Sequence, residues 1–138
     1  MSTQLPSSWT GAYAYDPIEG IEIDPPPVSF SMEWKLGWFG RFIGTVNDAP
    51  DTCMPETGKI KGRVRGTSIS FTKYMPVETI MNPDGSSFRT NNPHRPIHYY
   101  GDYDAKQNRL IGKWYIAPFS NADEEFDGST GTWTATPA

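Results

Sequence analysis

Apolar and polar residues alternate along most of this chain, most cleanly from Gly58 to Met75. Ile60, Gly62 and Val64 alternate with Lys59, Lys61, Arg63 and Arg65. Past a tight turn at Gly66-Thr67, Ile69, Phe71 and Met75 alternate with Ser68, Ser70, Thr72 and Tyr74. Side chains of a strand point to opposite faces with period two, so each run predicts a strand with one wet and one dry face. Six further runs follow the rule: Trp9–Tyr15, Val28–Leu36, Trp38–Asn47, Pro96–Tyr103, Arg109–Ala117 and Gly131–Thr136. Each is bounded by Gly, Pro, Asn or Asp, the residues that start and stop strands.

The connections add the architecture. Those at residues 16–26, 48–57, 76–94 and 118–129 are long, whereas those at Gly37, Gly66 and Asp104–Asn108 are tight. In an antiparallel meander odd and even connections lie at opposite ends, so the four long ones gather at one rim. The pattern predicts an all-β fold, an eight-stranded antiparallel up-and-down barrel shaped as a cup with one open mouth. A barrel of that size is filled by its own side chains or holds one small ligand, and long loops in a small domain tend to carry function.

Composition narrows the class without naming an activity. The 138 residues make one domain, 1–138, with 1–7 expected to be flexible, and five Trp, seven Tyr and seven Phe with 13 Gly and 13 Pro favour strands and turns. The lone cysteine, Cys53, excludes an internal disulfide and has no base at a meaningful spacing. The N-terminus lacks the basic start and apolar run of a signal peptide, and a cytoplasmic location is expected. No stretch approaches the roughly 20 apolar residues of a membrane span, so no membrane partner is expected. A net charge of −4 argues against nucleic acid. No segment carries a catalytic signature.

Charge is unevenly spread. Of 16 carboxylates, 13 fall in or beside the long connections: Asp16, Glu19, Glu22, Asp24, Asp48, Asp51, Glu56, Glu78, Asp84, Asp123, Glu124, Glu125 and Asp127. Only Arg89 and Arg95 oppose them there, while ten of the 12 cations belong to the body. Such a field favours a cationic ligand at the mouth and repels an anionic one; the plainer reading is a set of solvated loops.

The runs Trp9-x-Gly11-x-Tyr13, Phe30-Ser-Met32, Phe42-x-Gly44-x-Val46-x-Asp48, Gly58-Lys-Ile60-Lys-Gly62-x-Val64, Ile69-Ser-Phe71-Thr-Lys73-Tyr74, His98-Tyr99-Tyr100-Gly101 and Leu110-Ile-Gly112-Lys-Trp114 resemble calycin-type meander barrels, the group containing avidins and lipocalins. The likeness extends over about residues 9–136 and is closest to small lipocalin-like or avidin-like domains. It implies a small-ligand cup and no particular activity. The lipocalin Gly-x-Trp of the first strand is absent; that motif stands instead at Gly112–Trp114 and Gly131–Trp133. The avidin biotin-site residues do not map, so biotin is not implied.

The candidate ligand-binding residues are Tyr13, Trp34, Phe42, Phe71, Lys73, Tyr99 and Trp114, all on predicted inner faces. With Phe30, the aromatics among them either stack on a planar or cationic ligand or plug the barrel as its core, with Gly11, Gly44, Gly62, Gly101 and Gly112 offsetting their bulk. Lys73 is placed to meet a ligand carboxylate or, with a lowered pKa, to act as a nucleophile. The alternative has Lys73 snorkel to the rim and pair with Asp48. Tyr99 faces the same way at similar height. Three functions follow: a barrel binding a small, partly apolar molecule; a lyase or isomerase using Lys73, Tyr99 or a mouth carboxylate; or a structural, interacting barrel with a filled interior.

Metal and cofactor chemistry are not expected. His94 and His98 are too few for a three-histidine zinc site, and the Asp123–Asp127 run lacks the EF-hand spacing. The basic stripe Lys59, Lys61, Arg63 and Arg65 reads as a wet strand face. With the glycine face of the third strand inside, Trp38 would point inward and Phe39, Arg41 and Ile43 outward. Tyr74, His98, Tyr100, Ile111 and Tyr115 would also point outward, and aromatic surface of this kind predicts a homodimer interface.

Overall fold

The computed structural model describes residues 5–17, 27–48, 57–76, 79–81, 87–89, 95–120, 125–126 and 128–138. Eight strands form the barrel: β1 (Ser8–Tyr15), β2 (Val28–Leu36), β3 (Arg41–Asp48), β4 (Thr57–Arg65), β5 (Ser68–Tyr74), β8 (Ile97–Asp104), β9 (Arg109–Ile116) and β12 (Ser129–Pro137). They close in the order β1-β12-β9-β8-β5-β4-β3-β2, every pairing antiparallel. The alternation thus folds into the up-and-down barrel it predicts, an architecture consistent with the calycin resemblance. The four long connections all leave from the C-terminal ends of β1, β3, β5 and β9, which is one end of the ring.

Two short hairpins interrupt the long connections, β6 (Thr79–Met81) with β7 (Ser87–Arg89) and β10 (Phe119–Ser120) with β11 (Glu125–Phe126). Strands of two or three residues carry too little alternation to be read from sequence. Among the described residues no helix is long and apolar enough to cross a membrane.

The third strand begins later than the pattern predicts. Trp38–Gly40 is a single 3-10 turn, and Trp38 stands outside, 84% exposed. Alternation alone extends the strand back to Trp38. The chain instead turns sharply, with Phe39 (φ 59) and Gly40 (φ 74) both in the left-handed region. Phe39 and Ile43 lie outside as expected, 84% and 63% exposed. At the neighbouring β4–β5 hairpin, on the same rim, Gly66 (φ 60) supplies the first position of a two-residue turn.

The lumen away from the long connections is packed with rings. Trp34 and Phe42 lie 4.7 Å apart, and Phe71 stacks on Tyr99 at 4.8 Å and 7°. Trp133 meets both of these edge-on at 5.5 and 5.6 Å. Trp9, Met32 and Leu110 belong to this core, all essentially inaccessible. Burying one large apolar side chain is worth about 1.5–3 kcal/mol, so this layer is the main source of the fold's stability.

Candidate functional site

Above the rings, toward the long connections, the lumen changes character. Among the described residues, Asp48, the last residue of β3, and Lys73 of β5 are the charged residues buried in the core, 5% and 1% exposed. Lys73 Nζ donates to Asp48 Oδ1 at 2.8 Å. Tyr13 of β1 donates its hydroxyl to Asp48 Oδ2 at 3.0 Å. The ammonium also lies 4.8 Å from the centroid of the Tyr13 ring, within cation–π range.

Topology explains the reach of this cluster. In the ring of eight, β5 lies opposite β1, so the long Lys73 stem crosses the lumen. Lys73 therefore pairs with Asp48, as one of the two readings expects, but inside the barrel and not at its rim. The wall around it is apolar: Lys73 stands between Ile60 and Ile97 in the strand register, and Phe30 is opposite Asp48. Tyr15 and Trp114 complete the level, their rings edge to face at 4.9 Å.

Burial shapes the chemistry of each group. Removal from water pulls the Lys73 ammonium below its ordinary value, against the opposing pull of the Asp48 carboxylate. Burial first and the Asp48 charge second hold the phenols of Tyr13 and Tyr99 well above the ordinary range. The cluster is thus a neutral-sum polar layer of one cation, one anion and protonated phenol in a dry wall.

All seven predicted site residues are buried and face the lumen, but they divide between two levels. Tyr13, Lys73 and Trp114 belong to the polar layer, with Tyr13 and Trp114 edge to face at 6.1 Å. Trp34, Phe42, Phe71 and Tyr99 belong to the aromatic core beneath it. Asp48, expected as a partner of Lys73 at the rim, is buried inside; its place at the end of an alternating run, in phase with Val46 and Gly44, marks it as inward. Trp133, whose Gly131-Thr-Trp133 run shares the Gly-x-Trp spacing of Gly112–Trp114, also belongs to the buried core.

Other candidates fall elsewhere. Cys53, His94, Glu19, Glu22, Asp24, Asp51, Glu56, Glu78, Asp84, Asp123, Glu124 and Asp127 lie outside the described residues. His98 sits on the outer wall, its Nδ1 3.2 Å from Thr72 Oγ1 and its ring 4.8 Å from Tyr115. Among the described residues no three His, Cys, Asp or Glu side chains gather as metal ligands would.

The chain matches no known protein family, no curated protein and no solved structure.

Proposed function

We propose that the protein is a small-molecule-binding barrel of the lipocalin-like or avidin-like kind, with the Asp48–Lys73–Tyr13 layer as the floor of its site. The ligand enters from the end of the long connections, and its polar head meets the floor while its apolar body lies against Tyr15, Trp114 and Phe30. The observation that carries this reading is the ion pair inside an apolar wall. A buried pair contributes little to folding compared with apolar residues of the same size, so its presence calls for a role that folding does not supply. Lys73 offers donors to a carbonyl or carboxyl oxygen, and Asp48 accepts from a hydroxyl or amine. The acidic connections at the entrance favour neutral or cationic ligands over anionic ones.

Native mass spectrometry of freshly purified protein, followed by tryptophan quenching with neutral, cationic and anionic aromatic dyes, tests the proposal. We expect a retained mass or a quenching dye that the Asp48→Leu/Lys73→Met double variant does not bind. Failure of both assays in the wild-type chain would leave the filled, structural barrel as the reading. The lyase or isomerase alternative rests on the lowered Lys73 pKa. Borohydride with an aromatic aldehyde would then add mass at Lys73, and no adduct at that residue removes it.

A further inference from the structure

The end of the barrel opposite the long connections carries features that neither the core nor the lumen uses. Trp38 and Phe39 form the tip of the β2–β3 hairpin, each 84% exposed, with rings 6.5 Å apart. Phe39 holds φ 59 and ψ 32, a region unfavourable for a bulky side chain. A residue both strained and almost wholly in water does nothing for the fold. The tip is nevertheless held firmly. Gly37 N–H donates to the Arg41 carbonyl at 2.6 Å, and Gly40 packs so close to the Val64 carbonyl that no side chain fits there. Leu36 and Ile43, 44% and 63% exposed, extend the apolar surface.

Cations stand directly behind this tip. Arg41 lies opposite Arg63, and Lys35, Ile43 and Lys61 share the next row, about 7 Å further along the strands. Lys59 and Arg65 complete the wet face of β4. Facing like charges is unfavourable for a sheet, and Glu33 is the only carboxylate among the outward residues of β2, β3 and β4. Among the described residues none of these six cations makes an ion pair.

We propose that this end docks on an anionic lipid bilayer. Trp38 and Phe39 enter the headgroup layer, and Lys35, Arg41, Lys59, Lys61, Arg63 and Arg65 meet lipid phosphates. Aromatic rings favour that layer, and a small apolar insertion combined with a polybasic patch gives reversible surface binding. A protein interface would offer a broader, flatter apolar patch. Single-stranded nucleic acid would use rings set between the cations, and the outward face of β4 has none. Surface docking of this kind needs no spanning segment.

Trp38 reports its own environment, because the other four tryptophans are at most 6% exposed. The wild-type chain is mixed with vesicles of phosphatidylcholine alone, or with one-quarter phosphatidylglycerol. We expect a blue shift and protection from acrylamide only with the anionic vesicles, at least about tenfold tighter binding there, and loss in high salt. Brominated lipid should quench Trp38. Two variants should each weaken binding about tenfold or more without moving the thermal midpoint: Trp38→Ser/Phe39→Asn, in which Asn tolerates the left-handed backbone, and Lys61→Glu/Arg63→Glu. Equal or absent binding to the two vesicles would overturn the proposal, as would undiminished binding by the first variant. So would tighter binding to a single-stranded RNA oligomer, or a dimeric mass in light scattering that becomes monomeric when Trp38 and Phe39 are replaced.

Discussion

Lys73 is held by one carboxylate, Asp48, and one aromatic face, Tyr13, in a wall that is otherwise apolar. Removing one partner of a buried pair strands the other, at a cost of about 3–5 kcal/mol, whereas replacing both by apolar residues of similar size is close to neutral. Asp48→Leu and Lys73→Met should therefore each lower unfolding stability by that amount. The double variant should recover most of the loss, a coupling that urea denaturation measures. The two raised phenols give a pH prediction. Below the ordinary tyrosine value of 10.0 both folded and unfolded chains hold these protons. Above it the unfolded chain releases them while the folded chain keeps them, so stability falls as pH rises past about 10. Lys73 acts in the opposite sense, because the cost of burying its charge is relieved as pH climbs toward its ordinary value of 10.5. In an alkaline titration followed by tyrosinate absorbance, Tyr13 and Tyr99 should ionise only together with loss of the circular dichroism of the folded state. The pairing of Lys73 with Asp48 was readable from phase, since both lie on inner faces. Its depth was not, because periodicity gives a facing and says nothing of where a four-carbon stem ends.

Strands β9 and β12 are joined by a reciprocal device. Each carries Gly-x-Trp, and the antiparallel register sets Gly112 opposite Trp133 and Trp114 opposite Gly131. The Trp114 ring lies over Gly131, and both indoles reach one strand further. Trp133 Nε1 donates to the Tyr100 carbonyl and Trp114 Nε1 to the Ala14 carbonyl, both at 3.2 Å. A Cβ on Gly131 would fall on the Trp114 ring and the Ala14 carbonyl. Gly131→Val should therefore cost about 1–3 kcal/mol through overpacking, and it should shift the near-ultraviolet tryptophan signal, which circular dichroism reads directly. The motifs were visible in sequence, but their mutual facing required the register. The β2–β3 hairpin teaches the reverse. Trp38, Gly40 and Phe42 are in phase, so alternation alone runs the strand back to Trp38, and only the left-handed backbone at Phe39 and Gly40 shows where it stops.

The whole molecule is a ring closed by its two ends. Trp9 of β1 lies opposite Pro137 of β12, and the Ala138 amide donates to the Ser8 carbonyl at 3.0 Å, so no barrel strand is left with an open edge. The two rims differ in chemistry. At one the strands flanking the long connections end, on the side of the Asp48–Lys73–Tyr13 layer; the other presents Trp38 and Phe39 backed by cations. The alternation of the chain and the lengths of its connections were enough to determine the eight barrel strands, the inner faces of the first seven and the rim at which the long connections gather. These are properties of neighbouring residues and of chain direction, and both are written locally. Only the tertiary structure decided that Lys73 crosses from β5 to meet Tyr13 on β1, that Trp38 stands in water, and that the two Gly-x-Trp motifs clasp each other. Each of those contacts joins residues whose distance is set by closure of the ring, and closure is a property of all eight strands together.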